Sequence, residues 1–298
     1  MSPAGRHVYL DAARDLCPRI PAGTRRRERG STFASVLLAL LLSLLVLITV
    51  WIFAARVFPA PSSITAIGDQ VDRQYALTLW ITGAIFVLAQ LGFAWAILRF
   101  RDRGQRARFV PGNSRLEFAW TVAAIILFLG LGVLGRRAWA ESRFTPPSAG
   151  AIQVEVTESQ FVFNFRYPGP DGKFGRLDPR LISPSTGNPL GLDDNDPAAR
   201  DDVVVPQLTV PVNRQIALLI RSQDVVHNFF VRELRLQEDA VPGMIISVHF
   251  TPDRLGRYEI VCTQLCGLGH YRMHSYLNVV AASDYQAFLN QQQQALRQ

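Results

Sequence analysis

At 298 residues and 49% apolar, the chain is long enough for two domains, and its three cysteines are too few for a disulfide scaffold. The net charge of +7 is unevenly placed: residues 1–137 carry 17 basic and 7 acidic side chains, a balance of +10, while 138–298 carry 14 and 17, a balance of −3. Most of the arginines in the first part flank long apolar runs, so the expected partner is membrane lipid and not nucleic acid.

In chain order, a basic segment over residues 1–30 precedes the first apolar run, Phe33 to Ala55, about 23 residues without a charge. Tyr75 to Leu98 offers about 24 and Phe118 to Gly135 about 18, against the roughly 20 that a helix needs to cross a bilayer. The expected membrane segments are therefore 31–57, 75–98 and 117–137. The first is read as an extra retained helix or signal-anchor, since a secretory signal has an apolar core of only about 7 to 15 residues; Ala54-Ala55 and Ala60-Pro61 nevertheless permit cleavage. Gln90, midway along the second run, is expected to make an interhelix hydrogen bond.

Arginine placement orients these runs. Arg6, Arg14, Arg19, Arg25, Arg26, Arg27 and Arg29 precede the first, and Arg99, Arg101, Arg103, Arg106, Arg108 and Arg115 fill the loop before the third. Both segments belong on the cytoplasmic side, with the N terminus, so everything after the third run faces outward. In a bacterium this means the inner membrane and the periplasm. Arg136 and Arg137 go against the rule locally, and Cys17 has no assigned role.

The outer domain, 150–282, reads as all-β. Ile152 to Thr157, Phe161 to Tyr167, Val203 to Val210, Gln215 to Arg221, Asn228 to Val231, Ile245 to Phe250, Arg257 to Val261 and Ser275 to Val280 are short runs of strand-forming residues, as in a sandwich or barrel. Pro168 to Asp202, rich in Gly, Pro, Asp and Asn, reads as a long surface insertion. Residues 283–298 form a polar tail extending a short helix from Ser283.

The chemistry is concentrated in Cys262-Thr263-Gln264-Leu265-Cys266-Gly267-Leu268-Gly269-His270-Tyr271-Arg272-Met273, with His227 upstream beside a strand-like run. Thiolates, imidazoles and a thioether suit copper and not calcium or magnesium. Cys-x3-Cys alone would favour a disulfide or zinc, and a lone His227 or Met273 would be ordinary core; His270 and Met273 at their offsets turn the set toward copper. His249 and His274 read as structural.

Cys-x3-Cys-x3-His-x2-Met after an upstream His, in a β domain tethered by membrane helices, is similar to subunit II of haem-copper cytochrome c oxidases. The likeness runs from about Tyr75 to the end, and includes Asn113 to Thr121 and the turn Ala240-Val241-Pro242-Gly243. It implies membrane helices followed by an all-β, cupredoxin-like Greek-key sandwich carrying a binuclear CuA centre. In that centre Cys262 and Cys266 bridge two copper ions, His227 and His270 each give a ring nitrogen, Met273 gives its sulfur and Gln264 its backbone carbonyl.

The implied work is to accept electrons from a periplasmic cytochrome c and pass them to haem in subunit I, where oxygen is reduced and protons are translocated. Subunits I and III are the implied permanent partners. No Cys-x2-Cys-His follows the ligand run, so the expected donor is a separate haem c protein. Three positions depart from or qualify the pattern. Gln264 replaces a glutamate that helps bind magnesium at the subunit I contact, which puts that magnesium in doubt. Phe161 replaces the tryptophan that receives electrons. Glu117 matches a glutamate at the mouth of a proton-uptake path, although an interfacial carboxylate near Arg115 is the plainer reading. A membrane-tethered copper module for storage or delivery is the alternative function.

Overall fold

The computed structural model describes residues 31–55, 57, 59–101, 103 and 112–297. Cys17, the N-terminal arginines, Arg106 and Arg108 lie outside the described residues. Three helices, α1 (Thr32–Ala54), α2 (Ala66–Arg99) and α3 (Ser114–Arg143), are each long and apolar enough over part of their length to cross a membrane. Two compact units emerge, one of Met1–Ala55 with Phe86–Pro111 and the other of Arg56–Ile85 with Gly112–Gln298; the second holds the β domain.

Helix α2 is longer than its apolar run. Its 34 residues span about 51 Å at about 1.5 Å each, well beyond a hydrocarbon core of about 30 Å, so its polar first turns project from the span. Those turns carry Asp72, which accepts two hydrogen bonds from Arg235, at 2.7 and 2.8 Å. Asn113 caps α3 by accepting from the Arg115 and Leu116 N–H groups. Among the described residues, Gln74 makes an interhelix bond, its Nε2 donating to the Leu131 carbonyl at 3.4 Å.

The β domain is a sandwich of two five-stranded sheets. The first has the order β3 (Val203–Val205), β2 (Val162–Tyr167), β1 (Ile152–Ser159), β5 (Ile216–Ser222), β8 (Ile246–Phe250). The second runs β4 (Leu208–Pro211), β10 (His274–Val280), β9 (Gly256–Val261), β6 (His227–Val231), β7 (Leu236–Ala240). Pairing is antiparallel except for β1 with β5 and β4 with β10. Alternation buries Val154, Val156, Phe163, Phe165, Leu218 and Ile220 against Phe229, Val231, Ile260 and Leu277, burial that holds the sheets face to face.

Two strand expectations change. Val203 to Val210 is not one strand: Pro206 has no N–H for a ladder, and the chain changes sheets between β3 and β4. Strand β7, Leu-Gln-Glu-Asp-Ala, escapes an apolar scan because Gln237 and Asp239 project from the outer face. The insertion is ordered, with short helical turns at Pro179–Leu181 and Pro184–Thr186 and bridges Leu177↔Leu192 and Ser183↔Asn188. It covers Arg166, which is 1% exposed and bonded to Glu155, Asp202 and the Gly175 carbonyl. The terminal helix α4 (Ala282–Leu296) begins one residue before Ser283.

Candidate metal centre

Each candidate ligand owes its position to a strand end. His227 opens β6, Cys262 follows β9, and Met273 precedes β10, so three neighbouring strands of one sheet converge on the site. The loop between closes through Cys262 N–H to the Met273 carbonyl (3.1 Å) and a single helical turn, His270–Arg272, begun by His270 N–H to the Gly267 carbonyl (3.1 Å).

The sulfurs and nitrogens gather tightly. Cys262 Sγ and Cys266 Sγ are 3.9 Å apart as free thiols, too far for a disulfide of about 2.05 Å. Cys266 Sγ lies 3.6 Å from His270 Nδ1 and 3.8 Å from Met273 Sδ, and Cys262 Sγ lies 3.1 Å from the Gln264 carbonyl oxygen. The ligand atoms of His227, Cys262 and Cys266 lie within 4.8 Å of one another. Both thiols, Met273 and His227 are buried, and the Gln264 side chain is exposed, with only its carbonyl facing the cluster.

His227 decides whether this cluster fits a metal. Its Nε2 is 2.7 Å from Asp224 Oδ1; a carboxylate only accepts, so Nε2 carries the proton and Nδ1 presents a bare lone pair. That Nδ1 is buried with no protein partner, beside two thiols. An unpartnered buried acceptor costs stability, and a metal ion is the species that all these donors share as a partner. Asp224 is itself fixed: burial pushes its carboxyl up, but bonds from Gln160 N–H, His227 and Val225 N–H outweigh that and hold it below the usual carboxylate range. Burial, then the neighbouring Cys262, push the Cys266 thiol up to about 11, so in the free protein this thiol keeps its proton.

Packing around the loop is equally specific. Gly267 has φ +140°, where a side chain would be strained, and Gln160 Nε2 donates to the Cys266 carbonyl at 2.6 Å. A Cβ on Gly269 would fall 2.4 Å from Phe161 Cδ2. The half-buried Phe161 ring therefore lies against the backbone of the ligand loop.

All six sequence-derived positions, His227, Cys262, Gln264, Cys266, His270 and Met273, contribute atoms to this one region. Glu117 is not brought to it and stands exposed in the first turn of α3. His249 ties Thr145 to Gln215, and His274 lies against Tyr276. Asp224 and Gln160 were missed; a carboxylate three residues before a ligand histidine was the available signal for the first.

Comparison with known proteins decides the family. The chain is 37% identical over 225 residues to the alternative cytochrome c oxidase subunit 2 of Bradyrhizobium diazoefficiens, covering 74% of this chain and 80% of that protein. This chain belongs to the cytochrome c oxidase subunit II family. Residues 194–283 match the family description "Cytochrome C oxidase subunit II, periplasmic domain". Cytochrome c oxidase subunit 2 of Cereibacter sphaeroides is 27% identical over 241 residues, 77% of this chain and 78% of that one. The solved periplasmic domain of subunit II from Bradyrhizobium japonicum aligns over 51% of this chain and 99% of its own, with 22% identity and a TM-score of 0.38. As a member of the subunit II family the chain is part of a haem-copper oxidase, its three apolar helices precede a cupredoxin-like domain, and its His/Cys group is the metal candidate.

Proposed function

We propose that this subunit takes single electrons from a separate haem c protein at a binuclear copper centre and passes them to haem in subunit I, where oxygen is reduced. The observation that carries this reading is the buried, unpartnered His227 Nδ1 beside two unpaired thiols. Cys262 and Cys266 would hold the copper through their thiolates, His227 and His270 would each supply a ring nitrogen, Met273 its thioether and Gln264 its carbonyl. Two coppers sharing thiolates provide one-electron transfer with little rearrangement.

The protein's own groups prepare that centre. Asp224 holds the His227 ring in the tautomer that leaves Nδ1 free. The Cys266 thiol must release its proton to bind, so loading is favoured as pH rises. Met273, 2% exposed, would hold copper through its thioether, a weak donor, and its replacement would shift the potential. Gln264 offers no carboxylate, so no magnesium is assigned beside it. Residues 31–57 act as an additional membrane anchor, the N terminus is cytoplasmic, and Glu117 at the inner start of α3 is the proton-path candidate.

Copper loading of the full chain in detergent, followed by optical and electron paramagnetic spectroscopy and metal counting, tests the reading. Two coppers with a mixed-valence signal are expected; a colourless chain holding one zinc overturns it.

A further inference from the structure

Between the two buried thiols, Thr263, Gln264 and Leu265 are all exposed, yet the Gln264 carbonyl oxygen must stay where it is, 3.1 Å from Cys262 Sγ. The residue just before that carbonyl is fastened by side chains outside the ligand set. Asp239 Oδ1 accepts from Asn228 Nδ2 at 2.7 Å, and Asn228 Oδ1 accepts from Thr263 Oγ1 at 2.6 Å. Thr263 Oγ1 accepts in turn from Gln237 Nε2 at 3.3 Å.

The direction of this chain of bonds is forced from one end. A carboxylate only accepts, so Asp239 takes the N–H face of the Asn228 amide and leaves its carbonyl oxygen turned to Thr263. That oxygen has no proton to give, so the Thr263 hydroxyl must be the donor. Strand register fixes the first link, since Asn228 and Asp239 stand directly opposite each other across β6 and β7, and Asn228 is 2% exposed. Asn228 also follows His227, so one strand carries both a candidate ligand and the group that anchors the loop.

We propose that Asn228 and Thr263 are positioning residues for the metal centre: the bonds from Asp239 through Asn228 to Thr263 keep the Gln264 carbonyl turned to the thiols and so set the reduction potential. The inference rests on the proposed copper function. An oxygen dipole with its negative end toward the cluster favours the oxidised, more positive state, and the hydrogen bonds behind a donor decide how closely it is held. Slackening the loop therefore favours the reduced state, and the potential rises. One hydrogen bond is worth about threefold to tenfold in that equilibrium, or about 28 to 59 mV for a one-electron couple.

The test is a potentiometric titration of the full chain, copper-loaded in detergent, followed through its mixed-valence absorption. Thr263→Val removes the hydroxyl at an exposed position with little change of shape. It is expected to keep its copper count and to raise the potential by about threefold to tenfold in the oxidised-to-reduced equilibrium, while Thr263→Ser, which keeps the donor, moves it by less than about threefold. Asp239→Asn, also at an exposed position, gives an independent arm. Its shift should be smaller in Thr263→Val than in the unaltered chain, because loss of the charge acts in both backgrounds and only the part carried through Thr263 disappears. A shift below about threefold in Thr263→Val, a serine variant that moves as far as the valine one, additive shifts, or loss of copper from Thr263→Val overturns the proposal. A wild-type chain without two coppers and the mixed-valence absorption would instead refute the copper function beneath it.

Discussion

The insertion from Pro168 to Asp202 and the loop from Cys262 to Met273 are both irregular segments of one sandwich, yet they are held in opposite ways. The insertion is anchored on a buried cation: the Nε and both Nη groups of Arg166 find acceptors in Asp202, Glu155 and the Gly175 carbonyl. The ligand loop gathers donors that the protein leaves open, with His227 Nδ1 unpartnered and two thiols 3.9 Å apart. The first arrangement specifies a shape, and the second specifies something to be bound.

Four measurements would break or sharpen that contrast. The largest effect is expected from Cys266→Ser, which removes a shared ligand: the mixed-valence copper signal should vanish, whereas Arg166→Ala should leave it in whatever fraction folds. A retained signal in Cys266→Ser would place the thiol outside the centre. Next, Arg166→Ala strands the buried carboxylates of Glu155 and Asp202 and should lower stability by about 3–5 kcal/mol in denaturant unfolding. An unchanged midpoint would mean that the insertion is held by other contacts.

Asp224→Asn should cost less, reducing copper affinity by about 10–100-fold in competition with a chelator, because the His227 ring loses the carboxylate that fixes its tautomer. The smallest effect concerns pH. Cys266 is raised in the folded chain, so folding retains a proton that the unfolded chain releases first; its contribution is complete below about pH 9 and is lost as pH rises toward about 11. Unfolding of the copper-free chain across that window should show the decline, and bound copper should reduce it to the share of Tyr258 and Tyr285, whose phenols burial also raises. A flat profile without copper would show that the thiol is not raised.

The ligand set was legible because its spacing is covalent: four of the five ligand side chains sit within twelve residues, and only His227 needed tertiary structure to join them. Membrane helices were legible from uncharged runs, although not the polar first turns of α2, which fold because Arg235, far along the chain, pairs with Asp72. Strand β7 was not legible, since a strand with a polar outer face has no apolar run to notice. Nor was the role of Arg166, whose partners lie 11 and 36 positions away. Phe161 could be picked out as a position, but its packing on Gly269 depends on two strands meeting a loop.

Strand β7 also acts as a surveyor's baseline. At its start, Arg235 fastens the chain to α2, and Arg143 of α3 grips the Gln237 carbonyl and the Glu238 carboxylate. At its other end Ala240 is paired with His227. Leu236 to Ala240 covers only about 13 Å of extended chain. The station of the histidine above the bilayer is thus levelled from two membrane helices through one short span.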